Sequence, residues 1–258
     1  MKRKLQSIIS SLPTIIAFLI ILIAWHLLTV TEKVPSYMLP SPKSVLEALY
    51  ADIDLIYRHL NITLQEAFYG LGIGISLGFI MALFMDSCNV LYKAIYPVMI
   101  ITQTIPTVAI APILVLWMGF EMEPKIALVA LTTFFPITVG LLDGYRSVDK
   151  DQINLMRSMG ANRWKIFCHV KFPSALPYFF AGLKISVSYA VVGAVVSEWL
   201  GGFEGLGVYL TRVRKAYAYD RMFAVIIVIV VISLLFMGLV NIIRKLLMPW
   251  EKFAKNNE

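Results

Sequence analysis

The order of apolar and polar positions along these 258 residues divides the chain into six long apolar runs, at 12–30, 62–85, 94–118, 125–144, 177–199 and 222–244. Each is near the ~20 residues that a helix needs to cross the hydrocarbon core of a bilayer. The polar stretches between them carry two patterns. After the first run, Ser41-Pro42 marks a helix start, a capping side chain followed by proline in the first turn. Val45, Leu46, Leu49, Ile53, Ile56 and Leu60 then recur at helical spacing, which predicts an amphipathic packing helix in an outer segment over 31–61. The second pattern fills 143–178. Ile153, Met156, Trp164, Ile166, Phe167 and Val170 give this interval apolar positions, yet it is too charged for the membrane interior. An apolar helix face outside the membrane needs a partner to cover it. Gly160 breaks the pattern midway, and Pro173 and Pro177 are expected to end it, which predicts helix, bend, short helix and return to the membrane.

Composition agrees with a chain that lives in lipid. Hydrophobic residues make up 59% and charged residues 15%, with a mean hydropathy of +0.77, whereas a soluble domain carries roughly 25% charged residues. The formal charge of +7 therefore reads through its distribution along the chain, not as a nucleic-acid signal. Six spans place both termini on one side. With that side cytosolic, Lys2, Arg3, Lys4, Lys93, Arg146, Lys150, Arg157, Arg163, Lys165, Lys171, Arg244, Lys245, Lys252 and Lys255 face the cytosol. Lys33, Lys43, Arg58, Lys125, Arg212, Arg214, Lys215 and Arg221 face outward. The excess of basic residues inside favours cytosolic termini and a cytosolic loop over 145–176 within one membrane domain, 1–258. Cys88 and Cys168 imply no disulfide framework.

Inside the runs, small residues form stripes. Gly70, Gly74 and Gly78 repeat every fourth position, and Gly182, Ser186 and Ala190 share a stripe beside Gly193 and Ser197. Such stripes let helices approach backbone to backbone in lipid. Pro106 and Pro112 interrupt the third run, as broken helices do where protein or a water-filled cavity satisfies the freed backbone groups. Gln103, Pro106, Pro112, Ser186, Ser197 and Glu198 are accordingly candidates for a translocation path. Glu66 and Glu198, near span ends, read first as interfacial carboxylates. Arg212, Arg214 and Lys215 make an outer loop basic, which reads first as solvated charge and second as a patch for an acidic partner or anion.

The interval 143–178 also resembles the cytoplasmic loop of type I ABC importer permeases, whose pattern is E-A-A, three residues, Gly, nine residues, I-x-L-P. Gly160 and Pro173 take the Gly and Pro places, Val170 and Phe172 the Ile and Leu places, while Asn154, Leu155 and Met156 stand where the triplet would be. SMGANRWKIFCHVKFPSALPYFFAGLK, QTIPTVAIAPILVLWMGF, LPSPKSV and EWLGG followed by GLG are similar to the nitrate, sulfonate, taurine and pyrimidine-precursor branch of that family. The resemblance implies an all-α membrane fold of six transmembrane helices, the MetI-like type I fold. It also implies a second permease copy, two ABC ATPase subunits and a solute-binding protein, in a bacterial-type inner membrane. ATP and magnesium would bind the ATPase, leaving this chain without cofactor or catalytic residue. Asn154, Arg157, Gly160, Ala161, Arg163, Trp164, Phe167 and Pro173 are the implied coupling residues, with Ala161, Trp164 and Phe167 as apolar contacts and a Cβ at Gly160 expected to obstruct the bend.

The residues agree with a non-enzymatic role. No G-x-x-x-x-G-K-[ST] loop, H-E-x-x-H or G-x-S-x-G occurs, and His26, His59 and His169 lack acidic or cysteine neighbours at metal-ligand spacing. An ion-gradient-driven transporter is the alternative of another class, although its usual mid-membrane ionisable residues and internal repeat are not evident. A purely structural scaffold would leave the broken third run and the basic, apolar loop without a purpose. Within the branch, the strings lean towards the aminopyrimidine precursors of thiamine, with sulfonate, taurine or nitrate as runner-up.

Overall fold

The computed structural model describes residues 2–31, 34–35 and 37–250, with side chains from residue 12 onward. The side chains of Lys2, Arg3 and Lys4, and Lys33, Lys252 and Lys255 altogether, lie outside the described residues. Every regular element among the described residues is helical. In chain order these are α1 (Lys2–Val30), α2 (Pro42–Ala51), α3 (Ile53–Ser87), α4 (Asn89–Gln103), α5 (Thr107–Met118), α6 (Glu123–Arg146), α7 (Lys150–Ser158), α8 (Arg163–Ile166), a π-helical turn (Phe167–Lys171), α9 (Phe172–Leu200), α10 (Leu206–Lys215) and α11 (Tyr219–Leu247). Contacts gather in two units, Met1–Tyr57 with Tyr209–Val228 and Arg58–Val208 with Ile229–Glu258.

In the first unit, the Ser41 hydroxyl accepts from the Ser44 N–H and caps α2, as Ser41-Pro42 predicts. The amphipathic pattern through Leu60 divides, however. Helix α2 stops at Asp52, and 53–60 form the first turns of α3, so Ile53 is exposed whereas Val45 and Ile56 are buried. Asp52 explains the stop, because its carboxylate is engaged elsewhere. It accepts from the Tyr209 hydroxyl at 2.5 Å and pairs with Arg221 at 3.1 Å. Burial and this carboxylate push the Tyr209 phenol up from its ordinary 10.0.

The second unit is built on α6 and α9. Gly140 and Gly144 of α6 face Tyr178 and Ala175, and Gly182 faces the Pro136 carbonyl, so each side chain added here would strike backbone. Gly70, Gly74 and Gly78 of α3 lie against Val129, Thr133 and Ile137 on another face of α6. Ser186 Oγ donates to the Thr133 carbonyl at 2.7 Å and Thr138 Oγ1 to the Gly78 carbonyl at 3.3 Å, tying the three helices where lipid offers no other partner. Around them Met85, Leu141, Leu142, Tyr145, Phe180 and Val187 close an apolar core.

Two details correct the sequence expectation. In the third run only one of the two prolines interrupts the helix: α4 and α5 meet at 100° across Thr104–Pro106, whereas Pro112 sits inside α5 without breaking it. The bent pair still traverses the unit. Arg146 at the end of α6 lies 3.4 Å over the Tyr92 ring near the start of α4, and Asp86 at the end of α3 pairs with Lys171 at 2.8 Å. These mark the end of the unit that carries α7 and α8. A side chain at Gly201, beyond α9, would meet Phe120 and Val115 at the far end. Five helices are long and apolar enough to cross a membrane, and the α4–α5 pair makes six. Pro173 and Pro177, in turn, do not end the helix before them. The π-helical turn pairs the Phe172 N–H with the Phe167 carbonyl and carries the chain from α8 directly into α9, where Pro173 occupies the first turn and Pro177 lies inside. A first-turn proline forfeits no bond, because its N–H would be an orphan there.

Candidate functional site

Three places have chemistry beyond packing. The first is the loop end. Asp149 accepts from the Asp151 N–H to start α7, and Asn162 accepts from the Lys165 N–H at 2.8 Å to start α8. Between them Gly160 has φ +78 with nothing within 4 Å of the place a Cβ would take. The expected obstruction of the bend is thus not one of space. Left-handed backbone is what restricts this position to glycine. Asn154, Arg157, Arg163 and Trp164 are exposed, and Ala161 and Pro173 are half-buried. Phe167 departs from the expectation of a partner contact: its ring lies 5.4 Å from Tyr145 and 6.1 Å from Phe172, inside the chain's own aromatic cluster. Trp164 stacks on it at 5.7 Å with its outer face free, 66% exposed.

The apolar residues that α7 presents are Leu155 and Met159, 64% and 75% exposed. Sequence reasoning passed over both as contacts, although their i, i+4 spacing after the Asp149 cap puts them on one face. Beside this face Arg157, Arg163 and Trp164 line a recess of about 590 Å³ with Asp86 and Lys171.

The second place is the helix break. Gln103, Thr104, Pro106 and Thr107 line a recess of about 300 Å³ with Thr132 of α6 and Tyr189 and Gly193 of α9. Thr104 Oγ1 donates to the Ile101 carbonyl at 2.7 Å and Thr132 Oγ1 to Val129 at 2.9 Å, which leaves their lone pairs available. The Gln103 carboxamide, Thr107 hydroxyl and Tyr189 phenol have no hydrogen-bond partner among the described residues. Of the other path candidates, Pro112 is exposed away from this recess. Ser186, Ser197 and Glu198 are buried within the subunit and do not reach a surface of it, a correction to their expected place on the path.

Glu198 instead belongs to the third place, a buried polar knot at the far end. Thr63 Oγ1 donates to Glu198 Oε1 at 2.6 Å, and the Gly207 N–H donates to Oε2. The Leu206 N–H donates to Thr63 Oγ1 at 2.9 Å and the Gly205 N–H to His59 Nδ1 at 3.0 Å. Three successive amides of the GLG turn are therefore held by side chains of α3 and α9. Behind them Glu66 pairs with Lys125 at 3.0 Å, with side chains 0% and 5% exposed. Neither carboxylate is interfacial, and Lys125 does not face outward solvent. Only a buried ion pair makes such depth tolerable for charges. No group of His, Cys, Asp and Glu among the described residues is arranged to hold a metal.

Comparison with known proteins places this geometry among transport permeases. The family described as binding-protein-dependent transport system inner membrane component matches residues 74–249. Formylaminopyrimidine transport permease protein ThiX of Halalkalibacterium halodurans is 36% identical over 253 residues, 98% of this chain and 99% of that one. Riboflavin transport system permease protein RibX of Chloroflexus aurantiacus is 29% identical, covering 92% and 89%. Among solved structures, a bacterial ABC transporter involved in the import of the acidic polysaccharide alginate superposes with a TM-score of 0.65 at 17% identity, over 94% of this chain and 98% of that one. That level of identity speaks for the fold alone.

Proposed function

The chain belongs to the family of inner-membrane components of binding-protein-dependent transport systems, and from that premise we propose that it carries a small polar heterocycle through an ATP-driven importer. Members of the family are non-catalytic, so the chain is a multi-pass ABC importer permease of the inner membrane. The gradient-driven and scaffold alternatives fall with that assignment. In the proposed assembly two copies of the chain pair in the lipid and two ABC ATPase subunits dock on α7 and α8. ATP and its magnesium stay on those subunits, and a binding protein delivers the solute at the far end. Both termini then lie in the cytosol with the α7–α8 end, as the distribution of Lys and Arg favours. The 36% identical relative is named for formylaminopyrimidine, which supports a thiamine-precursor aminopyrimidine over sulfonate, taurine or nitrate.

The observation that carries the proposal is the uncovered apolar surface of Leu155, Met159 and Trp164 on a segment rimmed by Arg157, Arg163 and Lys165. An amphipathic helix with that face open is a shape for a groove on a partner. Closure of the ATPase pair would move α7 and α8 as one body, and Lys171–Asp86 would pass the motion to α3. Leu155→Asp with Met159→Asp tests this. The double variant should keep its melting temperature and stop copurifying with the ATPase subunit. Undiminished copurification and transport would remove the docking assignment.

A further inference from the structure

We propose that the recess at the α4–α5 break is a transient solute-binding site within the span, selective for an uncharged, planar, hydrogen-bonding molecule over an anion; this rests on the importer reading above. Depth is the first reason. Thr132 lies nine residues into α6, about 13 Å along a helix of roughly 36 Å, and Tyr189 lies eleven residues from the end of α9, about 16 Å. The recess thus sits well inside the span, where a polar group without a partner is expensive unless it meets water or a ligand. Gln103, Thr107 and Tyr189 are three such groups around one space of about 300 Å³. The other uncharged candidates of the sequence, Ser186 and Ser197, spend their hydroxyls on backbone carbonyls.

Chemistry is the second reason. The residues lining the recess include no Lys, Arg, Asp or Glu. A sulfonate or nitrate stripped of water there would need a cation, and Lys125, on the same helix as Thr132, is already bound to Glu66. The amino end of α5 offers a partial positive charge of about half an elementary charge, which suits a carbonyl or ring nitrogen rather than a whole anionic charge. Tyr189, half exposed, offers a flat ring beside Gly193, where an added Cβ would crowd Thr132 Oγ1 at 3.3 Å. A carboxamide that both donates and accepts, hydroxyls and an aromatic face together fit the edge and plane of an aminopyrimidine.

The test is equilibrium binding of radiolabelled formylaminopyrimidine and of radiolabelled taurine to the detergent-purified permease–ATPase complex without binding protein. We expect the aminopyrimidine to bind and taurine not to. Gln103→Ala should weaken binding roughly five- to tenfold, the loss of one hydrogen bond. Tyr189→Ala should weaken it further, and Tyr189→Phe, which keeps the ring, less than Tyr189→Ala. Equal binding by wild type and all three variants overturns the site, and tighter binding of taurine overturns the selectivity. Binding of neither probe to a complex that assembles and hydrolyses ATP overturns both. A wild-type chain that assembles with no ATPase fails the importer reading instead, and is told apart by the absence of that complex.

Discussion

The two ends of the second unit treat charge in opposite ways. At the far end Glu66, Lys125 and Glu198 are buried and bonded to one another's surroundings, with His59 and Thr63 holding the GLG amides. At the loop end Arg157, Arg163 and Lys165 stand in solvent around an uncovered apolar face. The first is bonded within the subunit, with Glu66 Oε1 on Lys125 and Glu66 Oε2 buried without a hydrogen-bond partner among the described residues. The second is incomplete as it stands. Buried charges bonded to side chains and amides of their own subunit hold a backbone in place, whereas exposed charges around apolar side chains hold little until something docks.

The contrast is open to breakage. The largest effect should come from Lys125→Ala, which strands the buried Glu66 carboxylate: about 3–5 kcal/mol lost from unfolding in mixed micelles, partly recovered by adding Glu66→Gln. Gly205→Ala comes next. Its φ of +123 disfavours any side chain and its Cβ would run into the Glu198 carboxyl, so a loss of about 3 kcal/mol is expected. Gly160→Ala at φ +78 meets open space and should cost only about 1–2 kcal/mol. Equal melting shifts for the two glycine variants would erase the distinction between the ends. Smallest is Asn162→Ala, which removes the α8 cap for about 1 kcal/mol. It should leave the melting temperature nearly unchanged while reducing ATPase copurification.

Much of the loop end was legible in the sequence because its signals are local. Gly160 acts within a few residues of itself, as do the Asp149 and Asn162 caps that the sequence reading passed over, and hydropathy finds the spans that flank them. Ser41-Pro42 and the Gly70, Gly74 and Gly78 stripe are local for the same reason. The knot was not legible. Thr63 and Glu198 meet across 135 positions, and nothing near either residue reveals that the other exists. Glu198, two residues from the end of α9, looks interfacial until Thr63 and the Gly207 amide are in place around it. The 100° bend lies between these cases: Pro106 predicts a break, while its angle depends on what α6 and α9 leave free.

The π-helical turn at Phe167–Lys171 has a rotational consequence. Each α-helical residue advances about 100° around the axis, and a π turn holds roughly one residue more than the α turn it replaces. The face that carries Trp164 and the face that carries Ala175 and Phe180 are therefore out of phase by an amount fixed by that single extra residue. A chain shortened by one residue here would still run helically from α8 into α9, but its exposed tryptophan would point to a different azimuth. The turn sets the direction in which the coupling surface is aimed, much as a keyway sets the angle of a shaft.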